Sequence, residues 1–276
     1  TGDKEIPGAK LQVKDETGKV IEEWTSTDKP HEINEKLVAG KSYALHEEGA
    51  PDGYTYAEVV EFTVDEKGEV TTVVMKDAAT EVSISKQDLT GSQEILGATL
   101  QILDQNGSVV EEWVSGTDAH YIEAKLTAGE TYTLHEVGAP NGYAYAEDVV
   151  FTVGTDGKLQ TVTMQDDTTK VSISKKAMTG SDELAGAELK LYYVTQNDQG
   201  EVTLEVDAWT SGTEAHVIEG ALIAGGTYKL VEITAPDGYL TAEDVTFTVS
   251  EDGSVDEVVM QDENAVLQAA EALSTD

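Results

Sequence analysis

EVSISKQD, residues 81–88, comes back as KVSISKKA at residues 170–177. In an extended strand successive side chains alternate between faces, so Val82, Ile84 and Lys86 point one way while Ser83 and Ser85 point the other. Val171, Ile173 and Lys175 repeat the pattern. A buried aliphatic row that ends in an amine requires something inside the fold for that amine to meet.

The surrounding sequence is a threefold repeat. TGDKEIPGAKLQV at Thr1, TGSQEILGATLQI at Thr90 and TGSDELAGAELKL at Thr179 begin 89 residues apart in both steps. The register continues through Trp24, Trp113 and Trp209, through PHEI, AHYI and AHVI, and through SYALHEEGAPDGY, TYTLHEVGAPNGY and TYKLVEITAPDGY. It ends in TTVVMKD, QTVTMQD and DEVVMQD. Short alternating runs rich in Val, Ile, Thr and Tyr, separated by turn residues, are the signature of β-sandwiches. Asn106-Gly107 predicts a tight hairpin with positive φ at both residues. Pro51-Asp52-Gly53 and its two counterparts predict proline-initiated turns. Seven strands are expected per complete copy, with modules at 1–79, 80–168 and 169–264 and a helix-forming tail at 265–276. Only AATE and DTTK separate the last strand of one copy from the first of the next, so the modules should stack stiffly. The third copy carries seven extra residues, which lengthen its hairpin across residues 192–206.

Composition excludes several function classes. The 276 residues include 54 acidic and 17 basic ones, a formal net charge of -37, and every basic residue is lysine. An acidic field without arginine repels nucleic acid and anionic lipid. No apolar run approaches the ~20 residues that span a bilayer, so membrane insertion is not expected. Cysteine is absent, so disulfides cannot brace the fold. No P-loop, dinucleotide fingerprint or serine elbow appears, and no cofactor or metal is expected.

The lysine has company on other strands. Alternation puts Tyr132, Leu134 and Glu136 on one face, and Val162, Met164 and Asp166 on one face. The third copy repeats this with Tyr228, Leu230 and Glu232, and with Val258, Met260 and Asp262. Glu and Asp lie 30 residues apart in all three copies; Lys and Glu lie 50 apart in the second and 57 in the third, a difference equal to the insertion. Buried charges cost several kcal/mol each and tend to neutralise, the amine's pKa falling and the carboxyls' rising. A neutral amine is a nucleophile, a neutral carboxylic acid an electrophile, and a second carboxyl can relay protons. Lys and Asp held together should condense to an amide with loss of water. The alternative is a buried ion triad without a covalent bond.

The ordered set VSISK, GATLQI, YTLHEVGAPNGY and VTMQD resembles the Cna B-type, SpaA-like (prealbumin-like) domains of Gram-positive surface proteins and pilins. The resemblance covers residues 1 to about 264. It implies three tandem immunoglobulin-like, prealbumin-like all-β sandwiches, the first lacking its N-terminal strand. It also implies isopeptide bonds joining Lys86 to Asp166 and Lys175 to Asp262, with Glu136 and Glu232 as proton-handling catalysts and no turnover activity. The expected role is a secreted, wall-associated stalk segment of an adhesin or pilus-type protein on a Gram-positive surface. The rival is a ligand-binding module that recognises a host protein or glycan through one face or through the inserted hairpin.

The first copy departs from the pattern, because TGDKEIPGAK matches the stretch after the lysine strand and leaves Glu47 and Asp77 without a nucleophile. A chain boundary inside a longer array is the favoured explanation; the other is strand donation by a second polypeptide. His31, His120 and His216 recur near Asp28, Asp118 and Glu214, and one histidine with one carboxylate falls short of a metal site. The tryptophans read as core or sheet-edge packing.

Overall fold

A computed structural model describes residues 4–67, 71–91 and 93–265. The first repeat contributes β1 (Lys10–Asp15), β2 (Val20–Thr25), β3 (Ser42–Gly49) and β4 (Val60–Thr63). The second contributes β5 (Glu81–Asp88), β6 (Thr99–Leu103), β7 (Val109–Val114), β8 (His120–Glu123), β9 (Thr131–Gly138), β10 (Val149–Thr152) and β11 (Gln160–Asp166). The third contributes β12 (Lys170–Ala177), β13 (Glu188–Asn197), β14 (Gly200–Thr210), β15 (His216–Glu219), β16 (Thr227–Thr234), β17 (Val245–Thr248) and β18 (Val258–Asp262). The fold is all-β, and the tail of helix-forming composition lies, after Ala265, outside the described residues.

In the third repeat a four-stranded sheet, β14-β13-β16-β17, accompanies a three-stranded one, β15-β12-β18. The lysine-bearing strand is central in the smaller sheet: β12 runs antiparallel to β15 and parallel to β18. The parallel register sets Ile173 beside Val258, Lys175 beside Met260 and Ala177 beside Asp262. Alternation then turns Ile173, Lys175, Val258, Met260 and Asp262 toward one interior. That interior holds Val171, Ile173, Leu189, Leu191, Ile218, Leu222, Tyr228, Leu230, Val258 and Met260, all buried. Each large aliphatic among them contributes about 1.5–3 kcal/mol through removal from water. The second repeat has the same pair of sheets, β10-β9-β6-β7 and β11-β5-β8.

Among the described residues the first repeat forms one sheet, β2-β1-β3-β4. Its PHEI and TTVVMKD segments, expected as strands, carry no strand at residues 31–34 or 71–77. The reason is the central strand: the second sheet is built on it, and without it neither flanking segment has a ladder to join.

A second departure is the Asn106-Gly107 turn, where Gly107 alone has positive φ, at 78°. Asp104 accounts for it: its Oδ1 accepts the N–H groups of Asn106 and Ser108, both at 2.8 Å, and its carbonyl accepts that of Gly107. An aspartate that caps its own loop favours a longer loop closed by one left-handed glycine over the two-residue turn.

The chain divides into two compact units: Thr1–Lys86 with Gln101–His135 and Asp148–Met164, and Gln87–Leu100 with Glu136–Glu147 and Gln165–Asp276. Each joint between successive repeats therefore lies inside one unit. At the joint within the second unit, Thr169 is fully buried; its N–H and hydroxyl face the Gly142 carbonyl, and its hydroxyl donates to the Leu222 carbonyl at 3.0 Å. Thr80 does the same with Gly53 and Leu126 in the first unit. Gly142 and Gly53 have positive φ, and a Cβ on either would lie 2.4 or 2.3 Å from a carbonyl oxygen of the next repeat, that of Gly220 or Ala124. Only glycine fits there.

Candidate functional site

Three strands of the third repeat deliver one ionisable side chain each to a common point. Lys175 comes from β12, Glu232 from β16 and Asp262 from the end of β18. Their side chains are 2%, 0% and 0% exposed. The Lys175 Nζ contacts Asp262 Oδ1 and lies 2.9 Å from Glu232 Oε1. The backbone around them is clamped. The Lys175 N–H donates to Glu183 Oε2 at 2.9 Å, the Lys175 carbonyl accepts from Leu184, and the Asp262 carbonyl accepts from Met178. Glu232 is pinned from its other oxygen, Oε2, which accepts the Ala242 N–H at 2.7 Å. Burial pushes the Asp262 carboxyl above its ordinary value; Lys175 pulls it down by hydrogen bond and charge, and Glu232 pushes it up. Asp262 Oδ2 is buried without a hydrogen-bond partner among the described residues, an expensive state for an ionised carboxylate.

The second repeat places its equivalents in equivalent strands. Lys86 on β5 is 1% exposed, Glu136 on β9 3% and Asp166 at the end of β11 1%. Glu136 Oε2 accepts the Ala146 N–H at 2.8 Å. Lys176, next to Lys175, is turned away and lies 3.9 Å from Glu257. In the first repeat Glu47 keeps its backbone anchor, with Oε2 2.6 Å from the Ala57 N–H, while its Oε1 is buried without a hydrogen-bond partner among the described residues. Burial pushes both Glu47 and Asp77 up, and the charge of Asp77 raises Glu47 further.

The alanine N–H that holds each glutamate is invisible to reasoning about side chains. The signal available was a constant offset of ten residues, from Glu47 to Ala57, Glu136 to Ala146 and Glu232 to Ala242. A second recurring group is also new. His31, His120 and His216 stack on Trp24, Trp113 and Trp209, with ring centroids 4.4, 4.3 and 4.2 Å apart. Their carboxylate partners are Glu22, Glu111 and Asp207, not the sequence neighbours Asp28, Asp118 and Glu214. Glu22 and Trp24 sit two apart on one strand and so share a face, and the histidine segment crosses that face. Each histidine thus meets one carboxylate and one indole.

A model of the SpaA family, described as a prealbumin-like fold domain, matches residues 1–79, 80–168 and 169–264. The chain belongs to this family. Among solved structures, the Bacillus anthracis TIE protein is 23% identical over 94% of this chain and 48% of its own, with a TM-score of 0.42. This chain therefore spans about half the length of that protein. The shaft pilin SpaA from Lactobacillus rhamnosus GG is 16% identical over 67% of this chain and 98% of its own, with a TM-score of 0.31. A streptococcal ancillary pilin is 18% identical over 87% and 77%, with a TM-score of 0.33. Among curated proteins no sequence matches. In every repeat the glutamate and aspartate lie 30 residues apart in sequence, and the second and third also carry a lysine on a strand.

Proposed function

We propose that the chain is a stalk segment of a bacterial surface or pilus-type protein, and that its second and third repeats are stapled internally by Lys86–Asp166 and Lys175–Asp262 isopeptide bonds. The observation that carries this reading is the contact of Lys175 Nζ with Asp262 Oδ1, beside Glu232 and out of reach of solvent.

The chemistry follows from the surroundings. Burial pushes the Asp262 carboxyl above its ordinary value, which favours the neutral, electrophilic acid. The amine of Lys175 attacks Cγ of Asp262, an N–C bond forms, and the carbonyl oxygen takes up negative charge. Glu232 accepts a proton from the nitrogen and returns it to the departing hydroxyl, which leaves as water. An uncharged amide replaces a buried ion pair whose carboxylate, Asp262, has one oxygen unpartnered among the described residues, so the product relieves the cost of desolvation. The reaction occurs once per repeat, and the protein turns over no substrate.

Two structural features suit a load-bearing role. The staple would join the first strand of a repeat to its last, so tension would cross an amide before it could separate the sheet. Buried threonines and carbonyl-facing glycines stitch successive repeats at their joints. A wall-associated, extracellular position on a Gram-positive surface accords with this role. Tryptic peptide mapping tests the reading: branched peptides containing Lys86 with Asp166 and Lys175 with Asp262 are expected, and linear peptides alone would refute it.

A further inference from the structure

We propose that the extended hairpin of the third repeat is a docking edge for a partner polypeptide, which adds a β-strand of alternating basic and apolar side chains alongside residues 200–206 of β14. The inference stands apart from the cross-links, because none of the residues it uses belongs to the Lys–Glu–Asp sites.

The edge is long and open. β14 has 11 residues, against 6 in β2 and β7, its counterparts in the other repeats. It is the outermost strand of β14-β13-β16-β17, so alternate N–H and C=O groups face away from β13. β13 pairs with β16 only as far as Val194, while its ladder with β14 continues to Asn197 and Gly200. Residues 195–202 therefore project as a two-stranded ribbon. Such edges are ordinarily blunted by lysine, by proline or by shortness, and residues 200–206, GEVTLEV, contain neither lysine nor proline.

The root of the ribbon is fixed. Tyr193 tilts against the buried Tyr228, with ring centroids 5.5 Å apart, and Val206 packs on the same core. Gly226 makes the room: a Cβ there would lie 3.2 Å from the Tyr193 ring and 2.7 Å from the Ile223 carbonyl oxygen. The first two repeats, which lack the extension, carry Lys41 and Glu130 at that place. A pre-formed edge spares an incoming strand the cost of ordering it.

The two faces of the ribbon specify the occupant. Tyr193 pairs with Leu204 and Thr195 with Val202, so Leu204 and Val202 carry the core-facing row past the point where the core ends. Leu204 is 55% exposed. The opposite face carries Glu201 and Glu205, both exposed, with Lys190 2.7 Å from Glu205. A strand laid along β14 joins its sheet, so its side chains fall alternately beside the apolar pair and beside the acidic pair. Val or Leu suits the first row and Lys or Arg the second. A second copy of this chain is a poor occupant, since it would set Glu201 and Glu205 against like charges in a molecule of net charge -37.

The test titrates the full chain into a fluorescent peptide, KVKVKVKV, and reads anisotropy at about 0.15 M salt, where charges beyond ~8 Å are screened. Saturable binding is expected, weakened about tenfold or more in a chain lacking residues 195–202. That deletion removes two acidic residues, Asp198 and Glu201, so a general attraction to the acidic chain would survive it. Leu204→Ser and Glu201→Lys should each weaken binding severalfold at unchanged Tm. The block peptide KKKKVVVV, of equal charge, should bind about tenfold more weakly. Equal affinity for the two peptides, or of the chain and its deletion variant, would overturn the proposal. Sedimentation showing that the chain dimerises through residues 195–202 would also overturn it, in favour of a second copy.

Discussion

Removing the charges of the third site without leaving any of them stranded separates a covalent staple from an ion triad by the sign of the effect. The variant is Lys175→Met, Glu232→Gln and Asp262→Leu together, with Gln retaining an oxygen for the Ala242 N–H that now anchors Glu232. If the native site were an unbonded triad, apolar replacement of buried charges would be neutral or stabilising by about 1–4 kcal/mol. If it is bonded, the variant loses a cross-link between residues 87 apart, which the chain-entropy relation values at about 4.6 kcal/mol. For a repeat of this size that corresponds to a fall in Tm of about 20–35 °C. Lys175→Met alone is not diagnostic, because stranding two buried carboxyls costs several kcal/mol under either account. Calorimetric unfolding of the full chain reads the result, with Lys176→Met as the control, since Lys176 is partly exposed and makes only a distant ion pair. A third repeat that melts at or above its native temperature in the triple variant would refute the cross-link.

Three further outcomes follow from other parts of the molecule. Gly142→Ala should destabilise the joint it occupies by more than about 1 kcal/mol, since its φ of 92° and a carbonyl 2.4 Å from the new Cβ both oppose alanine; protease nicking near Thr169 would report it, and unchanged resistance would contradict it. Deleting residues 195–202 should leave the Tm of the third repeat nearly unchanged, because the extension's anchors to the core, Tyr193 and Val206, are retained; a fall of many degrees would show that the tip is structural. In the first repeat Glu47 and Asp77 titrate above their ordinary values because of burial, so their contribution to stability is largest at acid pH and is lost as pH rises through those raised values. Asp77→Asn should raise the neutral-pH Tm of that repeat by a few degrees and flatten its pH dependence, and thermal melts between pH 4 and about 8 check this.

The sandwich was legible because its information is local. Alternation in TYTLHE and VSISK fixes which side chains turn inward, and the Lys–Glu spacings of 50 and 57 differ only by the seven-residue insertion, so the strands return to the same place. What stayed hidden depends on partners far away in the chain. PHEI and TTVVMKD carry strand-like sequences yet form no strands, because the ladder they need is built on an absent neighbour. Asn106-Gly107 carries a strong hairpin signal, but Asp104 offers the loop a better set of hydrogen bonds. The Trp–His stacks join segments across a sheet, and the anchoring alanines act through backbone N–H groups, which the identity of the side chain does not encode. The ionisable groups proposed to react were picked out by alternation, which sets each one at the end of a buried aliphatic row.

The central claim is that enclosure drives Lys86 to bond with Asp166 and Lys175 with Asp262. Intact mass of the purified chain tests it directly. The account predicts a mass two waters below that of the sequence, with one water restored by Lys86→Ala, the other by Lys175→Ala, and neither by Lys176→Ala. A mass equal to that of the full sequence would contradict it.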